Sequence, residues 1–418
     1  MRAFPYNAPV RPLPLLLLLL LAAPALAQPV PATGEILISV SGATSRLRPG
    51  IAAARGGGFV VVWREIGGQD GGIAARRVSA AGAPLGTGFV VEPLDEGRHT
   101  SDPQVVCRAD GGLLAAWGEA AFLRPGCARA WFLGPGGGEG EIFDLGGCTT
   151  ATSENGRAPN VALAGLPDGR FTAAWEEGLA MTSAGTDVVV RSFAAPGGPL
   201  SAALRVDGEG TGAEGFQTAP AVAQDAAGRS VVVWLDERNA ALYGRRFDAA
   251  GRPLGARFLV FSGSAVEAAV AAAPDGRFVA VWSAFEQTGT RIFAQRFDAA
   301  GRKRGAPIPV SPAGSPSHRH REPDVAMDES GDFAVVWDAD RIDGAGTGVL
   351  GRLYDADGVP RGPAFRVNTT GRGSQGHPAV AFAPGARTFL VVWDSQRDPG
   401  ASGSIVGRLY TVAQPVVP

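Results

Sequence analysis

Acids recur behind a repeating tryptophan. Trp63, Trp117, Trp175, Trp234, Trp282, Trp337 and Trp393 follow one another at intervals of roughly 50 to 60 residues. Within two residues of six of them comes a carboxylate: Glu65, Glu119, Glu176 with Glu177, Asp236, Asp338 and Asp394. Behind Trp282 stand Ser283 and only later Glu286, while Arg238, Arg341 and Arg397 each lie four residues past their tryptophan. Acids converging on a common mouth can hold Ca²⁺, which prefers oxygen ligands, can grip a cationic or hydroxyl-rich ligand, or can work as the paired carboxylates of a glycan hydrolase. The competing reading is a framework rule, in which each acid pairs with a nearby arginine or caps its own loop, and near-regular recurrence favours it. The candidate ligand-binding set is Glu65, Glu119, Glu177, Asp236, Arg238, Asp338, Arg341, Asp394 and Arg397.

Other chemistry is thinner. Asp338-Ala339-Asp340-Arg341-Ile342-Asp343-Gly344 resembles the start of a calcium loop, but Val349 falls where the twelfth-position Glu belongs. Asp338 and Asp340 are therefore weak metal candidates, and no cofactor is otherwise called for. His99, His318, His320 and His377 precede the first strands of their repeats. His318-Arg319-His320-Arg321 is read as an exposed charged loop, since no third zinc ligand can be named. There is no Gly-x-Ser-x-Gly elbow, phosphate loop or His-Glu-x-x-His. Three cysteines fall in one repeat. Cys127 and Cys148 flank a predicted hairpin and can meet across its open end, leaving Cys107, aligned with Leu163, Met327 and Phe382, as a buried inert thiol.

The elements that must carry these groups are strands. In the fifth repeat, strands are expected over 268–273, 277–282, 291–297 and 306–310, with Pro274-Asp275-Gly276 and Asp298-Ala299-Ala300-Gly301 as turns. The second turn returns at 248–251 and 355–358, and Pro103, Pro159, Pro220, Pro323 and Pro378 open first strands. No stretch holds a 3.6-residue apolar period, so almost no helix is expected. Four-stranded antiparallel units repeated seven times predict an all-β, seven-bladed β-propeller. Repeats fall near 49–101, 102–157, 158–218, 219–265, 266–321, 322–376 and 377–411. The last lacks a fourth strand, and residues 34–40 are expected to complete it and close the ring. The periodic tryptophans are read as packing between neighbours, and Arg76, Arg191, Arg245, Arg352 and Arg408 as framework hydrogen bonds. Trp131 is off the period.

The start of the chain reads as a leader. Arg2 and Arg11 precede the run Leu13–Leu21, and Ala25-Leu26-Ala27 is a small-residue cleavage site. A signal peptide at 1–27 and one domain at 28–418, secreted or periplasmic, are expected. No later stretch is long and apolar enough to span a membrane as a helix. The net charge of −2 carries no basic field for nucleic acid, and Lys303 is the one lysine.

Val279-Ala280-Val281-Trp282, Ile292 to Gly301 and Phe365-Arg366-Val367-Asn368-Thr369 resemble a repeat of secreted and cell-surface bacterial proteins. The repeat is similar to the blades of sialidase-type propellers, best in repeats 4 to 7 and poorly in repeat 2. The Asp-x-Gly turns lack the Ser and Thr-Trp of the sialidase Asp-box. The resemblance implies an extracellular propeller and assigns no activity. The resulting expectation is a monomeric, exported, non-catalytic propeller that binds a carbohydrate or protein on its loop-rich face. The alternatives are a glycan hydrolase or lyase using the carboxylate ring, and a purely structural surface module.

Overall fold

The computed structural model describes residues 28–39, 44–67, 70–95, 97–121, 125–135, 140–152, 158–178, 185–195, 197–207, 215–287, 289–313, 319–342, 344, 346–396 and 402–412. The expected leader at 1–27 lies outside them. Every regular element among the described residues is a β-strand, and nearly all pairing is antiparallel. Repeats are numbered 1 to 7 by their tryptophans. In repeat 5 the strands Ala265–Ala272, Phe278–Glu286, Gly289–Phe297 and Lys303–Pro309 pair in chain order. Repeats 1 and 6 do the same. Repeats 3 and 4 share one sheet because Gly185 and Thr186 pair parallel with Gly215 and Phe216.

The second strand of repeat 5 outruns expectation. It continues past Trp282 to Glu286, which pairs with Gly289, although the strand was expected to end at 282. Gly67 pairs with Asp70 in the same way. The acids behind the tryptophans therefore sit in strands, and strand geometry decides which way each one faces.

Turn chemistry follows the sequence. Asp248, Asp298 and Asp355 each accept two backbone N–H groups from their own turns, at 2.8–3.0 Å. Gly251, Gly301 and Gly358 supply φ of +77°, +81° and +77°. Those values lie in the left-handed region that only glycine enters without strain.

Repeat packs on repeat. All seven periodic tryptophans are at most 2% exposed. Trp117 joins a cluster with Val60 and Val62 of repeat 1, and Trp393 one with Val336 and Val349 of repeat 6. Trp63 of repeat 1 packs with Leu390 and Val392 of repeat 7. The first strands Ser45–Ala53, Gln104–Cys107, Val161–Gly165, Gly215–Gln224, Ala265–Ala272, His320–Met327 and Ser374–Phe382 lie side by side in chain order, and the last of them lies against the first.

The recurring arginines tie these layers together. Arg191 donates to Leu145 O of repeat 2 (3.3 Å) and Ser201 O of repeat 3 (2.9 Å). Arg245 bonds Val206 O and Gly255 O, and Arg352 bonds Val310 O and Gly362 O, in the same pattern. Arg76 reaches Ile38 O at 2.8 Å and Arg408 reaches Thr33 O at 3.3 Å. Trp131 occupies this column in repeat 2: Arg129 pairs with Trp117, placing Trp131 two residues on, where five repeats have arginine and repeat 5 has Gln295. It is 5% exposed and stacks on Phe89.

Two short segments between residues 29 and 37 add to the sheet of repeat 7. Pro29–Pro31 and Ile36–Leu37 both pair antiparallel with Ser404–Val412, Ile36 lying opposite Gly407. Of the expected strand at 34–40 only Ile36–Leu37 is paired among the described residues, and the sequence did not suggest the second contact at 29–31. Cys127 and Cys148 form a disulfide across paired strands. Cys107 pairs with Leu113 in the register where Gly165 pairs with Phe171, so Leu163 is not its counterpart. Burial pushes its thiol up to about 12. The architecture is all-β and consistent with a propeller.

Candidate functional site

A kink opens several first strands. In repeats 1, 4, 6 and 7 an X-Pro pair forms a bulge opposite the tryptophan: Arg48-Pro49, Ala219-Pro220, Glu322-Pro323 and His377-Pro378. Proline fits there because it has no N–H to give to the ladder. The residue before it takes a left-handed φ, +52° at Arg48, +49° at Ala219 and Glu322, and +48° at His377. Non-glycine residues seldom do so, and such strain of about 1–3 kcal/mol each gathers at functional sites. Bulges re-aim side chains.

The re-aimed side chains meet at one mouth. Arg48, Asp102, Glu267, Glu322 and His377 border a cavity of about 360 Å³ whose wall continues down the first strands to Val325 and Val380. His377 Nδ1 lies 2.7 Å from Asp394 Oδ2, and its Nε2 lies 3.7 Å from Glu322 Oε1. Arg48 donates to Asp102 Oδ2 at 3.0 Å, and another of its nitrogens stands 3.5 Å from Glu322 Oε1. Arg64 approaches the other Asp102 oxygen at 3.5 Å. Ser283 donates its hydroxyl to Glu267, which also accepts the N–H of Glu322 at 3.2 Å.

Crowding and burial shift these groups. Burial pushes Glu322 above the ordinary carboxylate range, and nearby Glu267 adds to the rise while Arg48 opposes it. Burial likewise pushes Asp338 up to about 7, against the pull of Arg321 3.7 Å away. Burial lowers His377, but the bond to Asp394 and its charge outweigh that and leave the imidazole raised. Deeper in the wall, burial carries Asp324 up to about 6 although it accepts the Val380 N–H at 2.8 Å. Raised carboxyls beside a raised imidazole are what proton transfer near neutral pH calls for.

The candidate set drawn from the sequence divides. Residues two past their tryptophan share its face of the strand, away from the mouth. Glu65 pairs with Arg46 at 3.1 Å, and Glu119 with Arg98 at 2.8 Å. Asp236 accepts from the Asn239 backbone and amide at 3.0 and 2.8 Å. Glu177, Arg238 and Arg341 are exposed, and Arg397 lies outside the described residues. Residues one past the tryptophan turn to the other face, so Asp338 and Asp394 flank Gly376, whose added Cβ would lie 3.2 and 3.8 Å from their oxygens. Asp340 pairs with Arg321 at 2.8 Å. Among the described residues no group of three His, Cys, Asp or Glu is placed to hold a metal.

The histidine reading needs correcting. His320 is 5% exposed, lies in a strand and accepts the Trp337 indole N–H at 3.1 Å, so it is a core residue and not an exposed loop. His318 lies outside the described residues. His377, grouped with it in the sequence, is the one at the mouth. Arg48, Asp102, Glu267 and Glu322 were not singled out at all. The signal was present for three of them: Arg48, Asp102 and Glu322 each directly precede a first-strand proline, as His377 does.

No family model and no curated protein matches the chain. Solved structures do. A Dyadobacter fermentans protein of unknown function aligns at TM-score 0.55 and 14% identity, over 93% of this chain and 100% of its own. An ulvan lyase of polysaccharide lyase family PL25 aligns at 0.55 and 10%, over 89% and 95%. A Penicillium chrysogenum α-L-arabinanase aligns at 0.50 and 10%, over 91% and 98%. At this identity the likeness is one of fold, and it places the chain among β-propeller-like structures.

Proposed function

We propose that the chain is an exported seven-bladed propeller that acts on a glycan by acid–base chemistry at its mouth, as a hydrolase or lyase. This reading takes residues 28–418 as one domain released by cleavage near Ala27. The seven first strands standing in chain order, with Trp63 packed on repeat 7, support the blade count and the closure. The non-catalytic binder expected from the sequence becomes the second reading.

The observation that carries the proposal is the line Asp394–His377–Glu322 at the wall of an open cavity. Asp394 fixes the imidazole through Nδ1 and leaves Nε2 facing Glu322 Oε1 at 3.7 Å, the arrangement in which a base is oriented by a third group. Glu322, with its raised pKa, suits proton donation to a leaving oxygen, whereas Asp102 is held between Arg48 and Arg64. One carboxyl buried and raised, and another held in ion pairs, can take different parts in one reaction. The ulvan lyase and the arabinanase, named for glycan substrates, make a carbohydrate the first class to test.

The test is turnover on a panel of neutral and acidic polysaccharides, followed by new reducing ends and by the ultraviolet absorbance of unsaturated products. His377→Ala and Glu322→Gln should each lower the rate about 10²–10⁴-fold with binding retained. Saturable binding without turnover on any glycan returns the protein to the binder reading.

A further inference from the structure

We infer that Asp394 is a positioning residue that sets His377 and Arg48 together, and that it belongs to a set of carboxylates in which one repeat caps the bulge of the next. The inference takes the mouth as the working site, but it rests on backbone geometry.

A residue squeezed out of the ladder by a bulge leaves its N–H without a strand partner, and a buried N–H must find an acceptor. Three bulges find one in the preceding repeat. The Arg48 N–H goes to Asp394 Oδ2 of repeat 7 at 3.0 Å, and the Ala219 N–H to Glu176 Oε1 of repeat 3 at 2.9 Å. The Glu322 N–H goes to Glu267 Oε2 of repeat 5 at 3.2 Å. Asp394 and Glu176 both stand one residue past their tryptophan. In repeat 5 that place holds Ser283, whose hydroxyl instead steadies Glu267. The missing acid behind Trp282 is thus made good from the neighbouring strand.

Asp394 does more than the others. The same Oδ2 that accepts the Arg48 N–H lies 2.7 Å from His377 Nδ1. Arg48 and His377 both reach Glu322 Oε1, at 3.5 and 3.7 Å. Contacts therefore run in a loop from Asp394 through His377 and Glu322 to Arg48 and back, across repeats 7, 6 and 1. Glu176 is the internal control. It caps a bulge in the same way, but the residue it holds is Ala219, which brings no functional group to the mouth.

The experiment uses the full chain and reads the His377 imidazole by NMR titration, its signal identified by comparison with His377→Gln. Asp394, Arg48 and Glu322 face the ring, with Asp338 nearby. Asp394→Asn should move the midpoint clearly downward, because the bond and charge that raise it are gone, while Glu176→Gln leaves it in place. Both variants should lose thermal stability. An unchanged midpoint in Asp394→Asn, or an equal change in Glu176→Gln, overturns the inference. Should Asp394→Asn fail to fold, Asp394→Glu, which keeps the charge but shifts its oxygens, is read instead: a native-like titration overturns the inference and an altered one supports it. Failure to find any glycan turnover would remove the proposed function and leave this result standing.

Discussion

Replacing Asp338 with Asn should make the protein more stable in mild alkali and change little in acid. The Asp338 side chain is 6% exposed, its Oδ1 has no hydrogen-bond partner, and Arg321 is shared with Asp340. Glu322 and Glu267 crowd it with like charge, and its pKa rises from 3.8 to about 7. The unfolded chain releases this proton near the ordinary value, and the folded chain holds it until about pH 7. Between those limits the folded state binds more protons, so stability falls as pH rises. What the protonated carboxyl contributes is fully present below 3.8 and lost as pH passes about 7. A displacement of that size corresponds to about 4 kcal/mol at about 1.36 kcal/mol per pH unit. Relaxation around the ionised group reduces this, so an advantage of about 2–4 kcal/mol for Asp338→Asn is expected at about pH 8. Urea unfolding followed by tryptophan fluorescence, from about pH 4 to about pH 8, measures both proteins. Parallel stability curves over that range would refute the reasoning.

Four further outcomes follow from the packing and the cysteines. Deleting residues 29–38 removes the partners of Ser404–Val412 and the buried Ile38, so the whole protein should melt earlier; a melt like that of the intact chain would argue against the closure. Trp393→Ala should cost about 3–5 kcal/mol in denaturant unfolding, since the ring is fully buried and donates to Gln375 at 3.2 Å, whereas exposed Phe285→Ala should change stability little. Reducing Cys127–Cys148, which closes 21 residues, should remove about 3 kcal/mol. In the oxidised native protein a thiol reagent at neutral pH should find Cys107 unreactive, and denaturation should expose one thiol.

The repeat and its strands were legible because each depends on near neighbours in the chain. Asp-x-x-Gly turns, alternating strands and the periodic Trp carry their own local reasons, and the structure follows them down to the arginine column. The acids were legible as a set but not as a site. One residue of difference behind the tryptophan sends Glu65 toward Arg46 and Asp394 toward His377, because successive residues of a strand face opposite ways. Counting that parity would have separated them. The extent of the second strand of repeat 5 was misjudged because polar residues past the tryptophan look like loop, although pairing with strand three keeps them extended.

By itself, then, the sequence determined a repeating all-β chain, the pairing of Cys127 with Cys148 as one option, and a buried tryptophan framework. Only the tertiary structure decided which residues share the mouth. Arg48 and Asp394 are separated by 346 positions and meet because repeat 1 packs against repeat 7. The bulges that turn Arg48, Glu322 and His377 inward exist as a mismatch between two strands. The X-Pro pairs mark where such a mismatch can fall, but only the pairing of two strands realises it and decides which side chains meet.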